Sequence, residues 1–307
     1  MRLDIIVETH FFCIPDFMNT VYSLSELQKS RFTHEPHYLV IGNPITHSLS
    51  PVMHQTALEY HKLKATYLAL QLIPENISSF AAWCNKDAFL GCNITIPYKE
   101  TLMNLVDQVD PHAREVGVIN TIEKINSNLK GHNTDVYGFL KPVEEYMDYI
   151  KGQRAVVFGT GGACKAVKTG LIEAGIEEII FVSRNPASNK IQDDRVYSKT
   201  VDYSQWQDFA EESMIFINTT PVGMLTKGNN ELIDKHEGPL LSGKLCYDLI
   251  YNPKITPFLE LASANNAIPV NGLDMLIYQG SRSFEIWTGK TFPIDLVRTN
   301  LQKVLNN

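Results

Sequence analysis

Lys99 and Asp135 are the residues of this sequence with the most chemistry to offer. An ammonium beside a reacting oxygen stabilises developing negative charge and can supply a proton. A carboxylate near it can orient the ammonium and accept a hydroxyl. Lys99 closes the stretch "NITIPYK" (93 to 99), where Ile94 and Ile96 alternate with polar partners and Pro97 stops the strand. Asp135 lies in "HNTDVYG" (132 to 138), and two more polar clusters, "GNPITHSLSP" (42 to 51) and "GVINT" (117 to 121), fall where strands end. Each cluster has a plain structural reading. Ser50 caps a helix, Asn120 is a turn residue, Asp135 caps the helix beginning near Val136, and Lys99 is solvated. Together the clusters suggest one small-molecule ligand, because open α/β sheets collect ligands outside the carboxyl ends of their strands.

A second kind of chemistry sits in "VVFGTGGACKA", which places Gly159, Gly161 and Gly162 between a strand and a helix. Glycines there let the backbone approach a pyrophosphate, and the helix N-terminus adds N–H groups and positive potential. Cys164 stands where the strict G-x-G-x-x-G pattern has its third glycine. The turn alone therefore fits a ligand-free connection as well as a dinucleotide. The next strand ends "SRN". An NAD site usually carries an acidic residue there for the ribose 2′-hydroxyl, whereas Arg184 suits the 2′-phosphate of NADP. Turn, helix and arginine together favour NADP.

The elements that must position these groups alternate from about Tyr38 onward. "HYLVIG", "TYLALQL" and "AFLGCNIT" read as strands, and "SPVMHQTALEYHKL" and "PENISSFAAWC" as helices, with Ser50 the N-cap and Pro51 at the first helical position. A short helix follows Pro97. "NTIEK" with "INSNLKGHNTD" predicts a hairpin at a sheet edge. A second run begins near Gln153: strands "RAVVFGTGG", "EEIIFVSRN", "MIFINTTPVGM" and "LCYDLIYNP", and a helix "ACKAVKTGLIEAG" whose C-cap Gly175 suits. "GLDMLIYQGSRSFEIWTGK" has apolar residues at helical spacing, and "LTKGNNELIDKHEGP" is the stretch expected to be mobile.

The totals bound the partners. The chain has 307 residues, which suggests two domains or one large α/β domain, and at 44% hydrophobic and 20% charged it can bury an ordinary globular core. Its 27 basic and 34 acidic residues give a net charge of −7, which disfavours nucleic acid or an anionic membrane. An anionic ligand must then be held by a local feature. The five cysteines (Cys13, Cys84, Cys92, Cys164, Cys246) form no C-x-x-C pair and read as reduced thiols of a cytoplasmic protein. No apolar run is long enough to span a membrane. In "MRLDIIVETHFFCIPDF" the residues Asp4, Glu8, His10 and Asp16 interrupt the apolar stretch that a signal peptide needs.

Seven stretches, in order, resemble the shikimate dehydrogenase family: "NPITHSLSP", "NITIPYK", "NTDVYG", "GTGGACKA", "NTTPVGM", "YNPKITPFL" and "QGSRSFEIWTG". They cover nearly all the chain beyond the first 35 or so residues. The resemblance implies NADPH-dependent reduction of 3-dehydroshikimate to shikimate, a step of aromatic amino-acid biosynthesis, with no metal. It implies Lys99 and Asp135 as the catalytic pair, Ser48 and Ser50 on the substrate carboxylate, and Asn93, Thr95, Asn120 and Gln279 on the ring hydroxyls. Gly159, Gly161, Gly162 and Ala163 would lie under the pyrophosphate, with Ser183, Arg184 and Asn185 at the 2′-phosphate and Thr219 also on the cofactor. Tyr251 and Met275 would border the nicotinamide and the substrate.

The expected fold is two α/β domains with the active site in the cleft between them. Residues 1–135 and 272–307 would form the substrate domain, with 1–35 an N-terminal extension, and 136–271 a Rossmann-like NADP-binding domain. Where family members carry an N-R-T or N-R-S box, this chain has Ser183, Arg184 and Asn185. The extension has no counterpart in the family, and translation from Met18 is an alternative start. "SLSELQKSRF" within it reads as a helix packed on the domain. Two rivals stand beside this reading: a quinate/shikimate dehydrogenase using NAD or NADP, and a non-catalytic regulator that binds NADP or shikimate. Monomer and homodimer are both compatible with the sequence.

Overall fold

A computed structural model describes residues 20–225 and 231–306 of the chain. The signal-peptide reading, Cys13, the alternative start and residues 226–230 of the expected mobile stretch (225–239) lie outside the described residues. Two sheets organise the rest. The first has seven strands in the order β1-β3-β2-β4-β6-β7-β5. They are β1 (Val21–Ser23), β2 (His37–Gly42), β3 (Thr66–Gln71), β4 (Phe89–Ile94), β5 (Gln108–Val109), β6 (Thr121–Ile125) and β7 (Asn128–His132). The second has six, in the order β10-β9-β8-β11-β12-β13. These are β8 (Arg154–Phe158), β9 (Glu178–Val182), β10 (Tyr197–Val201), β11 (Ser213–Asn218), β12 (Leu245–Asp248) and β13 (Ile268–Asn271).

The described helices are α1 (Leu24–Lys29), α2 (Ser50–Tyr60), α3 (Ile77–Cys84), α4 (Pro111–Val116), α5 (Asp135–Leu140), α6 (Met147–Ile150), α7 (Gly162–Glu173), α8 (Pro257–Ala264), α9 (Leu273–Thr288) and α10 (Ile294–Leu305). Both sheets are covered on both faces; the first is mixed, with β6 antiparallel to β4 and β7, and the second is wholly parallel. In the first, Leu39, Ile41, Leu68 and Leu70 pack towards Phe80 and Trp83, while Tyr38, Val40, Tyr67 and Ala69 face Met53, Ile277 and Phe284. In the second, Val157, Phe181 and Ile217 turn towards Val167 of α7, and Val156, Ile180 and Phe216 towards Trp206 and Phe258. All its strand pairs are parallel, and the order reverses between β8 and β11, which makes it Rossmann-like.

The predicted helix in the extension forms as α1. Its capping box joins Ser23 and Glu26, and Leu24 and Leu27 enter the core. Three local expectations need correction. Ser50 is the first helical residue of α2 and caps nothing; Leu49 is the N-cap, and the Ser50 N–H donates to Ser48 Oγ at 3.3 Å. The β6–β7 hairpin forms but is not the edge, because the two-residue β5 pairs outside it. Gly175 follows the cap residue Ala174, where its φ of +80° suits the left-handed position beyond a helix end.

Candidate active site

Lys99 leaves the turn that follows β4, and Asp135 opens α5. Lys99 Nζ donates to Asp135 Oδ2 at 2.6 Å, with side chains only 16% and 8% exposed. The local fold leaves this carboxylate available. Asn133, not Asp135, satisfies the start of α5: its Oδ1 accepts from the Asp135 N–H at 3.0 Å and the Val136 N–H at 3.3 Å. The plain reading of Asp135 as a helix cap therefore fails. The other carboxylate oxygen, Oδ1, accepts from Asn120 Nδ2 at 2.8 Å.

Asn120 is held in turn. Its Oδ1 accepts from the Thr134 N–H at 2.8 Å, and its Nδ2 also lies 2.9 Å from Thr134 Oγ1 and 3.4 Å from Gln279 Oε1. Gln279 comes from α9, which reaches α5 closely because Gly138 has no side chain. A Cβ there would sit 2.7 Å from Gln279 Cβ and 2.8 Å from the Met275 carbonyl oxygen. Asn93 at the end of β4 is buried, and protein groups engage both ends of its amide. Oδ1 accepts from Tyr67 OH at 2.7 Å, and Nδ2 donates to Ser283 Oγ at 2.9 Å and Thr121 Oγ1 at 3.1 Å. Thr121 and Ser283 also bond each other at 2.8 Å.

The pair thus ends a hydrogen-bonded chain running from Tyr67 through Asn93, Thr121 and Asn120 to Asp135 and Lys99. Sequence reading missed Tyr67, Thr121, Asn133, Thr134 and Ser283. Only the "INT" and "HNTD" polar runs hinted at some of them, and Ser283 gave no signal inside an apolar helix. Thr95 is half-buried beyond β4, Ser48 is half-buried and Ser50 buried at the start of α2. These three make no hydrogen bond to the Lys99, Asp135 and Asn120 cluster.

The glycine turn lies at the carboxyl end of β8. Gly159 has φ +103°, and a Cβ there would come within 2.6 Å of Thr219 Oγ1, which donates to the Phe158 carbonyl at 2.7 Å. A Cβ built at Gly161 or Gly162 meets nothing within 4 Å, so space is open over the N-terminus of α7. After β9, the buried Ser183 Oγ accepts from the Asn185 N–H at 3.2 Å and from Asn189 Nδ2 at 3.3 Å. Arg184 is exposed and makes no hydrogen bond or ion pair with the described residues. Its charge opposes the rise that burial imposes on the nearby Tyr203 phenol. An open glycine turn and a free guanidinium on the adjacent strand fit a dinucleotide with a 2′-phosphate.

Met275 is buried against the second core, while Tyr251 is half-buried after β12 with its phenol pushed up by burial. Among the described residues, no group of three or more His, Cys, Asp or Glu converges as a metal site, and no helix is long and apolar enough to cross a membrane. A groove of about 720 Å³ lined by Met224, Ile233 and Pro257 touches none of the polar network. Chemistry rather than volume marks the site.

Comparison with known proteins identifies the family. Residues 40–122 match the shikimate dehydrogenase substrate binding domain, and residues 272–302 match the shikimate 5′-dehydrogenase C-terminal domain. A shikimate dehydrogenase (NADP(+)) of Caldanaerobacter subterraneus subsp. tengcongensis is 35% identical over 263 residues, 84% of this chain and 93% of its own. The crystal structure of the Thermus thermophilus enzyme in complex with NADP(H) and shikimate has a TM-score of 0.78 at 32% identity, covering 88% of this chain and 100% of that one. The Listeria monocytogenes enzyme in complex with shikimate and NAD gives 0.77 at 28% identity, covering 87% and 96%. This chain belongs to the shikimate dehydrogenase family.

Proposed function

We propose that the chain is an NADP-dependent shikimate dehydrogenase, reversibly reducing 3-dehydroshikimate to shikimate in aromatic amino-acid biosynthesis. The observation that carries the reading is the shielded contact of Lys99 with Asp135, held by Asn120 at the strand ends of the first sheet. Ketone reduction adds a hydride at carbon and a proton at oxygen. NADPH, when bound, supplies the hydride. Lys99 Nζ stabilises the developing alkoxide and gives it the proton. Asp135 orients the ammonium and accepts a ring hydroxyl.

Ser48 and Ser50 hold the substrate carboxylate; Ser50 caps nothing, and the Ser48 hydroxyl, which accepts from the Ser50 N–H, keeps its proton to donate. Thr95, Asn120 and Gln279 face the ring hydroxyls. Asn93 contributes to that end of the site by fixing Thr121, Ser283 and Tyr67. Gly159, Gly161, Gly162, Ala163 and Thr219 cradle the pyrophosphate, Ser183, Arg184 and Asn185 take the 2′-phosphate, and Tyr251 and Met275 border the nicotinamide and the substrate.

Membership of the two sheets supports a substrate domain of residues 1–135 and 272–307 and a cofactor domain of residues 136–271. The return of α9 and α10 to the first sheet, through Phe284, Val297 and Leu301, is its main support. The enzyme works in the cytoplasm as a monomer or homodimer, a setting that suits its four described free cysteines.

Spectrophotometric NADP reduction with shikimate tests the reading, followed by quinate and by NAD. Turnover of shikimate with NADP is expected. Preference for quinate, or no turnover with either acid, contradicts it.

A further inference from the structure

One flank of the structure joins the two sheet-based units through charged side chains. Glu100 Oε1 meets Lys165 Nζ at 2.7 Å. Glu115 of α4 pairs with Arg195, which is tied through Asp193 (2.8 Å) to Lys168 of α7 (2.9 Å). His112 Nε2 of α4 lies 2.7 Å from Glu173 Oε1 at the far end of α7. Beneath them Val116, Val118 and Val136 pack on Ala166 of α7. The apolar contact and the two α4 bridges seat α7 against the first unit along most of its length.

Glu100 and Lys165 occupy the remaining end, and their neighbours give them their interest. Glu100 directly follows Lys99. Lys165 lies in the first turn of α7, three residues beyond Gly162. The turn around Lys99 is also held by bonds from the Leu102 N–H to the Tyr98 carbonyl (3.0 Å), from the Met103 N–H to the Glu100 carbonyl (3.2 Å) and from the Asn43 N–H to the Ile96 carbonyl (3.0 Å). The Tyr98 hydroxyl donates to the Leu72 carbonyl, and Tyr98 and Leu102 lie in the core. The Ile119 N–H adds one bond to the Lys99 carbonyl.

We infer that Glu100 and Lys165 are positioning residues whose ion pair holds the Lys99-bearing turn against the helix that carries the glycine turn. The inference rests on the proposed role of Lys99. With side chains 61% and 36% exposed, the pair is weak in water, as surface ion pairs are. Its leverage is geometric: it fixes the spacing between the proton donor and the dinucleotide turn, and small misplacements at that spacing cost rate.

Charge reversal with rescue tests the pair. Lys165→Glu and Glu100→Lys are each compared with the double swap, which restores opposite charges. Hydrogen exchange at the Leu102 and Met103 amides should quicken about three- to tenfold in each single variant and return to within about twofold of wild type in the swap. With shikimate and NADP, kcat should fall by a similar factor in the singles, with a smaller change in KM, and recover in the swap. Unchanged exchange and kcat in both singles, or a swap as impaired as the singles, overturns the inference. A wild type inactive on shikimate would sink the proposed function, while the exchange pattern would still decide whether the pair holds the turn.

Discussion

Lys99 and Asp135 lie 36 residues apart in sequence, yet their side chains meet at 2.6 Å in a site that largely excludes water. One follows a strand and the other opens a helix. The contact therefore exists only if β4, the β6–β7 hairpin and α5 are all in register.

Replacing Ser48 or Ser50 by alanine should raise KM for shikimate with little change in kcat. Ser50 caps nothing and Ser48 Oγ accepts only the Ser50 N–H at the start of α2, so any loss of helix stability should be small and confined to the Ser48 variant. A hydrogen bond to a charged group contributes about 1.5–3 kcal/mol, or roughly ten- to a hundredfold in affinity. Steady-state kinetics of both variants provide the check. An unchanged KM in both would remove the serines from the carboxylate site.

Arg184→Ala should abolish most of the preference for NADP over NAD. The guanidinium is unpaired with any described side chain, and the chain's net charge of −7 offers a phosphate no general attraction. Loss of one charge-assisted contact corresponds to about ten- to a hundredfold in the ratio of specificity constants. A wild type indifferent between the cofactors, or a variant with an unaltered ratio, would count against the assignment. The relative solved with NAD makes this comparison informative.

Gly138→Ala should weaken both the fold and the site. Its Cβ would press on Gln279 and on the Met275 carbonyl, and such overpacking costs about 1–3 kcal/mol. Because α5 carries Asp135 and α9 carries Gln279, kcat/KM should fall together with Tm. A variant that kept wild-type values of both would show that α5 and α9 can separate without consequence.

The sequence announced the long buried strands and the polar residues at their ends, and it hid what depends on tertiary contact. Strands β8, β9, β11 and β12 are apolar runs and were legible. β10 ("YSKTV") and β13 ("IPVN", with Pro269) are edge strands whose polar or proline-bearing sequences give no such pattern. Lys99, Asp135 and Asn120 stood out because polar groups there interrupt apolar runs. Ser283 and Tyr67 did not, since a serine on a helix and a tyrosine in a strand are ordinary until folding brings both to Asn93. The choice between Asn133 and Asp135 as cap was likewise invisible, because both are good capping residues and only geometry separates them.

Asp248→Asn should change how stability depends on pH. This fully buried carboxyl is pushed up from 3.8 to about 6 by burial, against hydrogen bonds from Thr256, Ile250 and Asn218. The folded state therefore holds the proton more tightly than the unfolded state does. The group's stabilising contribution is complete below pH 3.8 and is lost as pH rises through about 6. A shift of two pH units corresponds to about 3 kcal/mol. Asparagine cannot ionise, so the variant should gain on the wild type by up to about that amount between about pH 4 and pH 7. Denaturant unfolding at both pH values would measure this, and a pH-independent difference would refute it.

The most direct test of the account is Lys99→Ala, measured for shikimate binding by calorimetry and for turnover with NADP. The ammonium matters most when the alkoxide forms, so kcat should fall about 10²- to 10⁴-fold. The dissociation constant for shikimate should rise far less. A variant that turned over at near the wild-type rate and lost only affinity would make Lys99 a binding residue and contradict the proposed mechanism.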